Sequence, residues 1–272
     1  MIREYGLCLW TFGDIEIEEK LKYAKEIGVD GVEVQGDLTT DPYELKELLK
    51  KYNLKTLSVT PDNVDISSIN ENVRKNAVQY FLDLLEWAKQ LGANRICLHG
   101  DVGKIVGVNS DNDWSLLVQS TKEIMQKAEE IDVPVVYEVL NRYENHQVIT
   151  AKEAKKLLVD IKSNHFSILL DAYHMNIEES SPTQALKVAG EDLGVYHIAD
   201  SNRQAIGYGH ADLKKQVDTL NEIGYKGPII MEMVAEGPNP FTPIKDGNYL
   251  ETINDYYRVS LQKLKDWEST TL

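Results

Sequence analysis

The sequence predicts a single closed (β/α)8 barrel, a TIM barrel, over residues 1–272. Three observations predict it. Eight short β-rich runs alternate with eight longer amphipathic segments, no Pro/Ser-rich linker or low-complexity tract interrupts the alternation, and polar residues gather where the later strands stop. The 272 residues would also suffice for two average domains, but barrels of about 250 residues fold as one. Eight strands alternating with eight helices fit a closed barrel better than two doubly wound halves.

Taken in order, the strand-like runs are REYGLCLW (3–10), DGVEVQ (30–35), LKTLSVT (54–60), NRICLHG (94–100), VPVVYEV (133–139), HFSILLDA (165–172), GVYHIAD (194–200) and GPIIMEM (227–233). The helical segments are 17–28, 42–53, 73–92, 114–131, 151–162, 182–190, 211–224 and 249–268. In most of them apolar residues recur at three- and four-residue intervals, the signature of a helix with one buried face. Gly28, Gly92 and Gly224 close three of these segments just before strands, as a C′ glycine does.

Composition narrows the function. With 42% hydrophobic and 27% charged residues the chain reads as a soluble globular protein. Forty-four acids against 29 Lys and Arg give a net charge of −15, and no basic patch offsets it, so nucleic acid and anionic membrane surfaces are poor partners. The opening MIREYGLCLWTFG has no apolar stretch behind a basic start, and no run of 18 apolar residues occurs. A cytoplasmic protein with a small-molecule substrate is expected. Cys8 and Cys97 lie in apolar runs without CxxC spacing and are expected to be reduced core residues.

The strands of such a barrel should read apolar, so polar residues at their ends need a reason. The fifth ends in Glu138, the sixth in Asp171 with His174 three residues on, the seventh holds His197 followed by Asp200, Asn202 and Arg203, and the eighth holds Glu232. Singly, each acid reads as a helix N-cap and His197 as a core histidine. Four at successive strand ends make a mixed oxygen and nitrogen donor set suited to Mn²⁺, Co²⁺, Mg²⁺ or Zn²⁺, with the imidazole weighing against Ca²⁺. Two carboxylates, Glu138 and Glu232, on either side of a bound substrate would exchange a proton at one carbon from opposite faces, which is epimerisation. The metal would polarise a carbonyl and hold the resulting enediolate.

The runs EVLNRYENH, LLDAYHMNIEE, HIADSNRQAIGYGH and GPIIMEM resemble the xylose-isomerase-like barrel superfamily, most closely its D-tagatose/D-psicose (allulose) 3-epimerase branch; the resemblance is concentrated in 138–233. It implies one divalent ion, Mn²⁺ or Co²⁺ in preference to Mg²⁺ or Zn²⁺, bound by Glu138, Asp171, His197 and Glu232. Glu138 and Glu232 double as the acid/base pair, while Glu144, His174 and Arg203 contact the sugar, and assembly is as a dimer or tetramer. Asn141 and Arg142 would brace the loop after the fifth strand. The same barrel chemistry serves inosose dehydratase-like lyases and hydroxypyruvate, aldose–ketose or sugar-phosphate isomerases. Endonuclease-like relatives require further His and Asp ligands and a basic track, against which the charge weighs.

Some residues fall outside that pattern. His99, Asp101 and Lys104 follow the fourth strand where a less charged loop is expected; His99 reads equally as a sugar contact, a helix cap or a support for another side chain. Lys104, Ser201 and His210 would meet a phosphate if they converged. Trp10, Phe12 and Trp114 are candidates for an apolar wall, and Glu33 for orienting a neighbour.

Overall fold

A computed structural model of the chain describes residues 3–104, 110–235 and 247–269. Its strands are β1 (Tyr5–Cys8), β2 (Gly31–Gln35), β3 (Lys55–Thr60), β4 (Ile96–Leu98), β5 (Val135–Val139), β6 (Phe166–Asp171), β7 (Leu193–Ile198) and β8 (Ile229–Met231). All pair in parallel in the order β3-β2-β1-β8-β7-β6-β5-β4. At the seam, the Asn94 N–H just ahead of β4 donates to the Thr56 carbonyl in β3 at 3.0 Å, nearly closing the (β/α)8 barrel.

The helices are α1 (Ile17–Ile27), α2 (Pro42–Lys51), α3 (Glu71–Leu91), α4 (Ser110–Ile131), α5 (Ala151–Ile161), α6 (Ala172–Glu178), α7 (Pro182–Ala189), α8 (Leu213–Glu222) and α9 (Tyr249–Ser269). Their starts are written in side chains that satisfy orphan N–H groups. Asp41 caps α2 ahead of Pro42, Asn70 caps α3, and Thr150 and Glu153 form a capping box on α5. Gly28 and Gly92 end α1 and α3 with φ of 89° and 81°, the left-handed backbone expected from their positions.

Alternation along the strands sorts side chains into two apolar zones. Ile96, Leu98, Val135, Tyr137, Ile168, Leu170, Tyr196, Ile229 and Met231 face the helices, in one large cluster. Cys8, Leu57, Cys97, Val136, Leu169, Val195 and Ile230 form a separate plug inside the barrel. Two residues further along those strands come Trp10, His99, Glu138, Asp171, His197 and Glu232. The polar layer thus rests on the apolar plug at the C-terminal rim, where βα-loops build sites in barrels of this kind.

The structure departs from the sequence reading at three places. β1 stops at Cys8 and Leu9–Phe12 form a 3₁₀ turn, which carries Trp10 over the rim. β8 is only three residues long, so Glu232 follows the strand instead of lying within it. Ala172–Glu178, expected to be strand end and loop, forms the additional helix α6, capped by Asp171, whose carboxylate accepts from the Tyr173 N–H at 2.6 Å. Seven residues are too few for a periodic signal.

Close packing at the β1–β3 side depends on glycine. A Cβ at Gly31 would lie 2.5 Å from the Lys55 carbonyl oxygen and 2.8 Å from Leu57 Cγ. Because the first obstacle is backbone, Gly31→Ala is expected to cost about 1–3 kcal/mol by overpacking. A lowered thermal midpoint by circular dichroism would show it, at about 2–4 °C per kcal/mol for a chain of this size; an unchanged midpoint would contradict the packing argument.

Candidate metal centre and active site

Glu138 ends the inward face of β5, Asp171 that of β6 and His197 that of β7, and Glu232 follows β8. All four are buried, and each offers one donor atom such that all lie within 4.8 Å of one another. The His197 ring is the hub. Its Nδ1 stands 3.1 Å from Glu232 Oε2 and 3.7 Å from Glu138 Oε1, and its Nε2 is 3.2 Å from Glu33 Oε2. Burial opposes charge on the ring, but Glu33 and then Glu232 outweigh it and hold His197 well above the usual histidine range. The donor Nε2–H therefore points at Glu33, and Nδ1 faces the carboxylates.

Glu33, read from the sequence as a candidate for orienting a neighbour, is 2% exposed and lies against His197. Thr60 Oγ1–H also donates to it, and the Cys8 thiol lies 3.4 Å away. Burial raises its carboxyl, yet the His197 charge and the hydrogen bonds from His197 and Thr60 bring it down to about 2. An imidazole whose outer N–H is held by a carboxylate is the usual support of a metal-binding histidine.

Arg203 faces the same acids. Its Nη2 lies 2.8 Å from Glu232 Oε2 and Nη1 3.7 Å from Asp171 Oδ2, while the guanidinium stacks 4.6 Å from the Tyr173 ring centre in α6. Trp10 Nε1–H donates to the other Glu232 oxygen at 3.1 Å. Burial would raise Glu232, but Arg203 and His197 prevail and hold its carboxyl at about 2. Glu138 has no guanidinium against it, and the His197 ring 3.7 Å away does not offset the rest: burial first, then the Glu232 charge, push it well above the usual carboxylate range.

The loop after β5 fixes the remaining tautomer. The Tyr143 N–H donates to Asn141 Oδ1 at 2.9 Å, so the amide nitrogen must be the atom that donates to Glu144 Oε1 at 2.9 Å and to His174 Nδ1 at 2.8 Å. Burial holds His174 neutral, down to about 3, and its Nε2–H points toward Glu138 and Asp171, 3.9 Å from an oxygen of each. Arg142 clamps the loop onto α6 through a bidentate pair with Glu178, at 2.9 and 2.8 Å. Asn141 and Arg142 thus brace the loop as expected, and Asn141 also aims two site side chains.

Other candidates lie elsewhere. Asp200 organises the loop after β7, its carboxylate accepting from the N–H groups of Ser201, Gly207 and Ala211. Lys104 is bound to Asp65 and Ser67, and Ser201 to His210, so the three residues suggested for a phosphate do not converge on one. Of the proposed apolar wall only Trp10 reaches the rim: Phe12 is buried against Tyr23 and Tyr257, and Trp114 packs under Lys156 on the outer helices.

Three carboxylates and one imidazole nitrogen suit a divalent cation of borderline hardness. Two further observations fit one. Asp171 Oδ2 is a buried acceptor with no hydrogen-bond donor, and among the described residues only Arg203 and the His197 ring bring positive charge to these acids. Among the described residues no helix is long and apolar enough to cross a membrane.

Known proteins share this architecture. The family model described as xylose isomerase-like TIM barrel matches residues 21–262. The chain is 30% identical over 261 residues to D-psicose 3-epimerase of Enterocloster bolteae, covering 89% of this chain and 86% of that protein. It is 30% identical over 240 residues to 3-dehydro-D-guloside 4-epimerase of Escherichia coli K12, covering 85% and 92%. The crystal structure of D-psicose 3-epimerase with D-tagatose from Clostridium cellulolyticum H10 superposes with a TM-score of 0.85 at 25% identity, covering 95% of this chain and 97% of that one. With a match running from α1 into α9 around one barrel, the chain belongs to the xylose isomerase-like TIM barrel family.

Proposed function

We propose that this protein is a divalent-metal-dependent sugar epimerase that inverts C3 of a free ketose, with Glu138 and Glu232 as its acid/base pair. The observation that carries the reading is their placement. β5 and β8 are separated by β6 and β7 around the barrel, so the two carboxylates approach the rim from different walls while sharing one donor cluster. A substrate carbon between them presents one face to each, as two-base proton exchange needs.

Each remaining residue has a part. One carboxylate removes the proton next to the substrate carbonyl, giving an enediolate, and the other returns a proton to the opposite face. His174 Nε2–H and the Arg203 guanidinium donate to the oxygens around the reacting carbon, and Glu144, held by Asn141, accepts from a hydroxyl at the carbonyl end. Glu138, Asp171, His197 and Glu232 would hold the ion, Mn²⁺ or Co²⁺ by the reading of the sequence, and the ion when bound supplies Lewis-acid polarisation of the carbonyl.

A second reading is favoured by one comparison. The Escherichia coli relative is a 4-epimerase of a 3-dehydro sugar and aligns over most of both chains. In both substrates the inverted carbon adjoins a ketone, so the same acid/base pair would serve a 3-keto glycoside inverted at C4.

NMR in D₂O separates the readings, using metal-stripped protein reloaded with Mn²⁺ and chelated after reaction. Deuterium at C3 of a free ketose together with its C3 epimer is expected. Deuterium at C4 of a 3-keto glycoside alone would move the activity to the second reading, and label at C1 with an aldose product would overturn epimerisation. Glu232→Gln should slow exchange about 10²–10⁴-fold while leaving the circular dichroism spectrum unchanged; undiminished exchange would remove Glu232 from the pair. Asp171→Asn and His197→Gln should each weaken Mn²⁺ binding by at least about 100-fold in calorimetric titration, and wild-type affinity in both would place the ion elsewhere.

A further inference from the structure

His99 is the member of the polar layer that the proposed chemistry leaves unused. In β4 the side chains of Ile96 and Leu98 face the helices and Cys97 faces the barrel interior, so the next inward position is His99. Register places it further. Cys97 pairs with Val136 and Leu98 with Tyr137, so continuing the two strands by one residue sets His99 beside Glu138. The Cys97 Sγ beneath it lies 3.7 Å from Glu138 Oε2.

The ring has one nitrogen committed and one available. Nδ1 lies 2.8 Å from the Gly100 carbonyl, and because a carbonyl only accepts, Nδ1 carries the proton. With the ring's proton committed to the Gly100 carbonyl through Nδ1, this tautomer bears its lone pair on Nε2. Among the described residues no donor is bound to it, and the residue as a whole is 7% exposed. A phosphate or carboxylate brings no hydrogen to such a nitrogen, whereas an alcohol does.

We infer that His99 is a specificity-determining residue whose Nε2 accepts a hydrogen bond from a substrate hydroxyl on the carbon chain beyond the reacting carbon. The inference rests on the epimerase reading above and adds to it the group that recognises the far part of the sugar. His174, Arg203 and Glu144 gather on the β5–β7 side of Glu138, and His99 lies on the other side, toward β4. A substrate spanning the pair places its carbonyl end against the first group and its remaining hydroxyls against His99.

The test uses Mn²⁺-loaded full-length protein, His99→Leu and His99→Gln, with D-psicose, D-tagatose and their 4-deoxy and 5-deoxy analogues. Leucine removes the acceptor at similar volume; glutamine restores one. His99→Leu is expected to lose about 10- to 100-fold in kcat/KM on the parent sugar whose hydroxyl is read, and nothing on the analogue lacking it. His99→Gln should recover most of the loss, and the Mn²⁺ dissociation constant should stay within about twofold in both variants. A leucine variant that keeps both the wild-type kcat/KM and the preference for the parent sugar would overturn the inference, as would a loss traced wholly to weaker Mn²⁺ binding. Calorimetric titration of the same sugars keeps the two readings apart. Wild-type protein that binds them without C3 exchange fails as a 3-epimerase, yet His99 is still judged by its dissociation constants; a wild type that binds none overturns both.

Discussion

The rim of this barrel is built around a concentration of like charge. Glu33, Glu138, Asp171 and Glu232 are all buried there, largely withdrawn from the water that would otherwise screen them. Most of the surrounding geometry is compensation. Glu33 meets His197, Thr60 and Cys8; Glu232 meets Arg203, His197 and the Trp10 indole; Asp171 meets the Tyr173 N–H and, at longer range, Arg203. Glu138 is the exception. Its nearest donors are the Cys97 thiol at 3.7 Å, His197 at 3.7 Å and His174 at 3.9 Å. This sparsely compensated carboxylate is pushed up where Glu33 and Glu232 are held down, which locates a shortage of positive charge within the donor set.

Such a cluster persists only on a frame that cannot relax away from it. The plug of Cys8, Leu57, Cys97, Val136, Leu169, Val195 and Ile230 fixes the height of each strand, and with it the level at which the next inward side chain emerges. Arg203 illustrates the cost. Its backbone takes φ of 63°, a conformation that disfavours side chains with a Cβ by about 1–3 kcal/mol. Its N–H donates to the Asp200 carbonyl and its own carbonyl accepts from the Val234 N–H, both at 2.8 Å. Asp200 in turn gathers three loop N–H groups. The strained backbone is over-determined by this loop, and the guanidinium is delivered between Glu232 and Asp171.

The alternation of strand and helix, the closing glycines and the four donor residues were legible because each leaves a local trace: a period, a turn residue, or an acid where an apolar strand should stop. What was not legible depends on distance in space. Glu33 lies 164 residues from the histidine it supports, and Trp10 is 222 residues from Glu232. No pattern in either neighbourhood of the sequence announces the partner. Phe12 and Trp114 were misplaced for the same reason, since an aromatic residue near a strand end or helix start is equally at home in the helix layer. α6 escaped because its start is set by Asp171, a residue whose polarity had already been ascribed to the metal set, although one carboxylate oxygen caps while the other faces the site.

The polar layer is unevenly divided between the two halves of the rim. The β5–β8 arc carries Glu138, Asp171, His197 and Glu232, together with Arg203, His174 and Glu144 from its loops; His197 and Arg203 interlock its acids by charge, and the neutral His174 is tied in through Asn141. Removing one of the paired charges leaves its partner buried and uncompensated, which typically costs several kcal/mol. The β1–β4 arc contributes Trp10, Glu33 and His99, of which only Glu33 is charged, and it is sealed against His197. A neutral side chain such as His99 can be exchanged without disturbing the acids opposite. On the proposed reading, proton transfer belongs to the β5–β8 arc and recognition of the sugar's remaining hydroxyls to the β1–β4 arc, an arrangement in which substrate preference would change while the electrostatics of the acid cluster stay fixed.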